Sequence, residues 1–210
     1  MIIGSSNFKN IHREGWPTHP GFRASKVVEL NTPGLSFRDR FTEQTPPQNP
    51  SNPFKVVLAV GPNRYRLNNQ IHLFIEDFIT SINTLFDRGF GCRDILVVLG
   101  FPRGPMCMWV YQIQALGRLK TFLRERQVDF IEPLRKTPKR YRFPKFVFSR
   151  RDQLLRHFVH YSKPFRRNIH VQIGSWLLKA AKNGNSPLET YARDMLSVLN
   201  QTTTRDQPQD

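Results

Sequence analysis

Acidic residues are the first shortage in this sequence: 16 Asp and Glu stand against 32 Lys and Arg, a formal net charge of +16 over 210 residues. A surface built only for solubility interleaves both signs, and an enzyme for small neutral substrates needs no such field. The imbalance points to a polyanionic partner, nucleic acid before an anionic membrane. Cysteine is nearly absent as well. Cys92 and Cys107 allow one bridge at most and lack the spacing of a metal site, which excludes a disulfide scaffold and a zinc module; they read as reduced thiols of a cytoplasmic protein. No apolar run approaches the ~18 residues of a membrane span. The opening Met1-Ile2-Ile3-Gly4 lacks the basic and apolar regions of a signal peptide and reads as a strand whose parent chain continues upstream. No internal repeat is present, and nothing calls for a cofactor or a metal.

What is there suffices for a core. Hydrophobic residues make up 39% of the chain and aromatics 12%, which excludes wholesale disorder. The length fits one domain, assigned to 1–200, with a polar, disordered tail over 201–210. Apolar runs alternate with helical patterns, the mark of a parallel sheet covered on both faces. The strand runs are Met1–Ile3, Lys26–Leu30, Phe54–Val60, Ile95–Phe101 and Val128–Ile131. Ile71, Phe74, Ile75, Phe78, Ile79, Ile82, Leu85 and Phe86 recur at helical spacing before Gly89, as expected of an amphipathic helix and its stop. A second helix follows through Trp109, Ile113, Leu116, Leu119, Phe122 and Leu123. A third runs from Phe165 to Lys182, with Ile169, Ile173, Trp176, Leu177 and Ala180 facing inward. Ser186-Pro187-Leu188-Glu189 caps a last helix ending near Asn200. Thr42–Pro53 is rich in proline and reads as loop, not helix. The predicted fold class is α/β: a three-layer α/β/α sandwich around a parallel sheet of about five strands, flavodoxin-like in type.

Four short signals fall at strand ends or in loops, where open α/β sheets place their sites. They are Gly4-Ser5-Ser6, Asn31-Thr32-Pro33-Gly34, Gly61-Pro62-Asn63-Arg64, and His157-Phe158-Val159-His160. In this order they resemble the four blocks of the SGNH (GDSL-type) hydrolases: Gly-Asp-Ser, a lone Gly, Gly-x-Asn-Asp and a late Asp-x-x-His. The resemblance implies Ser6 as nucleophile and His160 as base. It also implies an oxyanion hole from the backbone N–H groups of Ser6 and Gly34 and the Asn63 side chain. Three positions depart. Ser5 and Arg64 replace the first and third aspartates, and His157 stands where the Asp that orients the base is expected. An imidazole cannot supply the negative charge that fixes the base's tautomer and stabilises its cation. Asp152, five residues before His157, reads as a helix-start residue.

A second group of residues carries the charge. Arg135–Arg151 holds eight Lys and Arg and no acid in seventeen residues. Its prolines keep it extended, so the cations follow a path suited to a phosphate backbone, while interleaved Tyr and Phe offer stacking faces for unpaired bases. Arg135, Lys136, Lys139, Arg140, Tyr141, Arg142 and Lys145 are the expected RNA contacts, with Arg38, Arg40 and Arg64 outlying. Arg156, Lys163, Arg166 and Arg167 extend the patch; Arg23, Arg66 and Arg103 come from loops that follow strands.

Two families join the SGNH scaffold to RNA. The chain resembles the C-terminal domain of the insect germ-plasm protein Oskar, which implies a catalytically inactive scaffold that binds mRNA. Single-stranded mRNA and other germ-plasm proteins in cytoplasmic ribonucleoprotein granules are then the partners. The other family is the esterase domain of LINE retrotransposon first-frame proteins, which implies an active esterase through Ser6 and His160. The missing Asp favours the first, so the sequence predicts a non-enzymatic, RNA-binding domain.

Overall fold

The computed structural model describes residues 1–11, 18–23, 26–62, 65, 67–100, 109–133, 147–155 and 160–180. Five strands form one parallel sheet: β1 (Ile2–Gly4), β2 (Glu29–Asn31), β3 (Val56–Ala59), β4 (Ile95–Val98) and β5 (Asp129–Ile131). Their order is β2-β1-β3-β4-β5. Ile3 pairs with Leu30 on one side and Leu58 on the other, and Val97 pairs with Leu58 and Phe130. Each of the five expected strand runs overlaps a strand; β3, β4 and β5 lie within theirs and are shorter, while β1 and β2 each extend one residue past the expected end, to Gly4 and Asn31.

The helices are α1 (Pro20–Arg23), α2 (Leu67–Asp87), α3 (Trp109–Glu125), α4 (Arg150–Leu155) and α5 (Lys163–Ala180). Strand residues alternate between two cores, as a period of two requires. Ile3, Val56, Leu58, Ile95 and Val97 face Phe78, Ile82, Leu85 and Leu119 of α2 and α3. Ile2, Val57, Ala59, Leu96 and Val98 face Phe22, Phe165, Ile169 and Ile173 of α1 and α5. Helices on both faces make the three-layer sandwich that the alternation predicted.

Two details differ from expectation. Phe41–Gln44 forms a 3-10 turn at the head of the proline-rich loop, because Phe41 is buried and Thr45 Oγ1 donates to its carbonyl. Ile113 lies in α3 but is 59% exposed; the helix turns Gln112, Ala115, Leu119 and Leu123 inward instead. The capped helix expected from Ser186, the end of the third helix at Lys182 and the tail lie outside the described residues.

Helices α1 and α5 pack at a glycine contact. A Cβ on Gly21 would sit 2.0 Å from the Gly174 carbonyl oxygen, and one on Gly174 would meet the His19 ring at 2.4 Å. Neither fits without displacement. Gly174→Ala is therefore expected to lower stability by about 1–3 kcal/mol through overpacking, read as a fall in Tm of roughly 2–4 °C per kcal/mol for a chain of this size. An unchanged melting curve would show that the contact yields freely.

Candidate active site

The order β2-β1-β3 reverses chain direction across the sheet, and open α/β sheets bind ligands outside the carboxyl ends of the strands at such a switch point. Ser5 and Ser6 follow β1, and Gly61 and Pro62 follow β3. Both candidate loops therefore emerge side by side at the switch.

Ser6 opens a 3-10 turn, Ser6–Phe8, closed by Phe8 N–H donating to the Ser5 carbonyl at 2.9 Å. The Ser6 side chain lies outside the described atoms. A network on β2 secures the turn. The Glu29 carboxylate accepts from Asn10 N–H and from Asn31 Nδ2, both at 2.8 Å, and Asn31 Nδ2 also lies 3.4 Å from the Phe8 carbonyl. Glycine suits position 4, since a Cβ there would meet Phe8 Cβ and Asn31 Oδ1 at 3.0 Å, a tight contact that those neighbours would have to relieve.

Gly34 occupies a turn in which Leu35 N–H donates to the Thr32 carbonyl at 3.1 Å. Its φ is +71°, and Pro33 precedes it, the pairing that a type II turn demands at its two central positions. The turn is exposed and tied to β1 by Thr32 N–H donating to the Gly4 carbonyl. Asn63 and Arg64 lie outside the described residues, as do Arg66 and His157.

His160 is held by a short antiparallel bridge between Phe148 and Tyr161. Ser149 N–H donates to the His160 carbonyl and Ser162 N–H to that of Val147, both at 2.8 Å. Helix α4 follows Ser149 directly, and its first turn carries Asp152. Ser149 caps that turn, accepting from Asp152 N–H at 3.2 Å and donating its hydroxyl to the carboxylate at 2.8 Å. The same carboxylate accepts from His160 N–H at 2.8 Å and lies 3.1 Å from His160 Nδ1.

This overturns the expectation that the base lacks its acid. Asp152 is a helix-start residue, as read, and it is also the partner of His160. It was missed because the family's block places the acid three residues before the histidine. Here it stands eight before, returned to the ring by the turn through α4. Only the Ser149-x-x-Asp152 capping signature marked it in the sequence, and that signature speaks of helix starts.

The electrostatics follow. Asp152 is buried, which alone would raise its pKa. The Ser149 hydroxyl and the backbone N–H and ring of His160 outweigh that and hold the carboxyl below its ordinary value. An ionised carboxylate only accepts, so His160 Nδ1 carries the ring proton and Nε2 keeps its lone pair. The His160 side chain is 61% exposed, whereas that of Asp152 is 5%. An exposed imidazole thus sits on a buried anion. A depressed folded pKa contributes stability above the unfolded value, and the contribution is lost as pH falls through the folded one. Asp152→Asn is therefore expected to melt below wild type at pH 7, with the gap closing on acidification through and below pH 3.8, the ordinary Asp value. A constant gap in urea melts from pH 7 to pH 3 would contradict this.

A hydrogen bond joins the Ser6 turn to the chain at His160. Asn7 is 3% exposed, and its Oδ1 accepts from Tyr161 N–H at 2.9 Å. Asn7 follows Ser6 and Tyr161 follows His160, so residues adjacent to nucleophile and base are bonded across 154 positions of sequence. Tyr161 is fixed in turn by the rings of Phe8, Phe148 and Phe165. Asn7 thereby ties the Ser6 turn to the chain at His160, and the Thr32–Gly4 bond ties the turn that holds Gly34 to the end of β1.

Of the expected RNA contacts, Arg38 and Arg40 are described. The Arg38 guanidinium lies 4.6 Å from the centroid of the Tyr65 ring and donates to Gln70 Oε1 at 3.2 Å. Tyr65 donates to Asp77 at 2.7 Å; burial and that carboxylate push its phenol well above the usual range. Arg40 has a φ of +46° and pairs loosely with Glu43 at 3.6 Å. Farther along, Arg166 donates to the Lys9 carbonyl at 2.7 Å, while Lys163 and Arg167 are exposed on α5. Arg135, Lys136, Lys139, Arg140, Tyr141, Arg142 and Lys145 lie outside the described residues. No helix among the described residues is long and apolar enough to cross a membrane.

No family model and no curated protein matches the sequence. Solved structures do share the fold. A GDSL-like lipase from Bacteroides thetaiotaomicron superposes with a TM-score of 0.59 at 13% identity, covering 85% of this chain and 87% of that one. A member of the lipolytic G-D-S-L family from Veillonella parvula gives 0.54 at 14% identity over 86% and 94%. A lipase/acylhydrolase from Enterococcus faecalis gives 0.52 at 14% identity over 87% and 95%. The architecture is the SGNH/GDSL hydrolase fold.

The expectation of a non-enzyme is corrected here. The acid held to be missing is present as Asp152, and the solved structures of this fold are lipases and acylhydrolases. The ground for preferring an Oskar-type scaffold, an eroded Asp, goes with it.

Proposed function

We propose that this chain is an SGNH-type serine esterase with Ser6 as nucleophile, His160 as general base and Asp152 as the acid that orients it. The observation that carries the proposal is the buried Asp152 carboxylate 3.1 Å from His160 Nδ1. His160 Nε2 takes the Ser6 hydroxyl proton as Oγ attacks the ester carbonyl, and Asp152 stabilises the imidazolium that forms. The resemblance assigns the oxyanion to the N–H groups of Ser6 and Gly34 and the Asn63 side chain, donors worth about 2.7–4 kcal/mol each in such sites. His160 then protonates the leaving alkoxide, and water releases the acyl group by the reverse sequence. Hydrolysis of p-nitrophenyl acetate by wild type, and its loss in Ser6→Ala, tests the proposal; equal rates in both would refute it.

Charge favours a second property of the same chain: binding single-stranded RNA. The support is the net charge of +16, the cationic Arg135–Arg151 segment, and the Arg38 guanidinium over the Tyr65 ring. Each phosphate neutralised adds about 0.7 to the slope of log affinity against log salt for a single strand. Arg38→Glu with Arg40→Glu is expected to weaken binding several-fold and flatten that slope, and Ser6→Ala to leave both unchanged. Filter binding at several salt concentrations checks this, and an unaltered slope would remove Arg38 and Arg40 from the interface.

A further inference from the structure

The turn that carries Gly34 runs directly into a braced corner. Leu35 and Ser36 are buried, and Ser36 caps the 3-10 turn Phe37–Asp39. Ser36 N–H donates to the Asp39 carboxylate at 2.9 Å, and its Oγ accepts from Arg38 N–H at 3.3 Å. Arg38 lays its guanidinium over the Tyr65 ring. Phe37 reaches the same ring through Phe74, with 5.9 Å and then 5.2 Å between centroids. Tyr65 belongs to the other candidate loop, the one that follows β3. Its N–H donates to the Pro62 carbonyl at 3.4 Å, and its hydroxyl donates to Asp77 of α2 at 2.7 Å.

Packing against Phe74 asks only for a ring, which phenylalanine would supply. The hydroxyl adds direction, because a bond to a carboxylate is short and strong. The Ser36 side chain bonds to the same phenol, so the loop after β2, the loop after β3 and helix α2 meet at one side chain. From this junction we infer that Tyr65 is a positioning residue for the oxyanion site, holding the Gly34 turn against the loop that follows β3. The inference rests on the esterase proposal, in which the Gly34 N–H is an oxyanion donor. Such donors work because they are fixed in advance where charge develops. Burial and Asp77 keep the phenol protonated, so Tyr65 ties the loops and takes no part in proton transfer.

Tyr65→Phe keeps the ring and removes the tie. On p-nitrophenyl acetate it is expected to lower kcat about tenfold, short of the roughly 10²–10³ that loss of a whole oxyanion donor costs. KM and the midpoint of the pH–rate profile should hold, since His160 is untouched. Phenylboronic acid forms a tetrahedral adduct on the serine, and its affinity should fall by the same factor as kcat, as that of a transition-state mimic must. Asp77→Asn keeps an acceptor for the hydroxyl and should stay near wild type. Asp77→Ala should match Tyr65→Phe, and the double variant should be no worse than either, because both changes break one bond. Independently of chemistry, amide exchange at Leu35 and Ser36 should quicken severalfold in Tyr65→Phe, while that of Val97 in β4 holds. Faster exchange with no turnover by wild type would refute the esterase and keep Tyr65 as the brace of the Gly34 turn. Exchange that stays at the wild-type rate, or kcat that holds or falls without a matching loss of boronate affinity, would overturn the role of Tyr65.

Discussion

Replacing Asp152 by asparagine is expected to lower kcat on a short ester by about four orders of magnitude, with KM nearly unchanged. The carboxylate touches no substrate. It accepts from His160 Nδ1, Ser149 Oγ and His160 N–H, and so dictates which ring nitrogen keeps its lone pair. An amide can present its NH₂ group to Nδ1, which favours the tautomer with the proton on Nε2, where a base is needed. The same exchange in a well-studied triad costs about 10⁴ in kcat. Loss of the anion also removes the charge that steadies the imidazolium. A loss below tenfold would mean that Asp152 serves the helix start alone. Ser149→Ala, which removes one hydroxyl donor and leaves the His160 contacts, should cost far less.

Asn7→Leu is the second large effect. The substitution removes the acceptor of Tyr161 N–H at 2.9 Å and leaves that donor buried without a partner, a cost of about 1–3 kcal/mol in stability. It also loosens the Ser6 turn from the His160 bridge, leaving the Phe8–Tyr161 ring contact. Misplacing reacting groups by about 1 Å can cost roughly 100-fold in rate, so kcat is expected to fall by about that factor while KM moves little. Asn7→Asp keeps an acceptor oxygen in place and should restore most of the rate. Rates in Asn7→Leu and Asn7→Asp that fall alike, in step with stability alone, would reduce Asn7 to a core residue. Asn7 is a positioning residue, and the kcat-against-KM split with rescue is what tells that role from a structural one.

The fold was legible where burial leaves no choice of residue. Val56–Ala59 and Ile95–Val98 are covered on both faces, so every side chain is apolar and the run shows as a block. Helix α2 packs one face on the sheet and repeats at helical spacing for the same reason. Ile113 shows the limit of that logic, because a single apolar residue on a helix does not say which way the helix is turned. At the candidate site, Ser6, Gly34 and His160 were proposed from sequence because each stands in a short local motif. Asp152 was not, since its contact with His160 depends on how α4 returns the chain, a matter of tertiary path. Asn7 was hidden further still, its partner lying 154 residues away. The basic segment shows in composition alone, which explains why charge suggested a binding function before the Asp152–His160 geometry supported the esterase proposal.

The central claim is that Ser6 is a nucleophile activated by the His160–Asp152 pair. Intact-mass analysis after exposure to a fluorophosphonate, followed by peptide mapping, tests it most directly. One adduct on the peptide carrying Ser6, formed much more slowly in Asp152→Asn and absent in Ser6→Ala, is the expected result. Wild-type protein that stays unmodified, or an adduct that persists in Ser6→Ala, would contradict it.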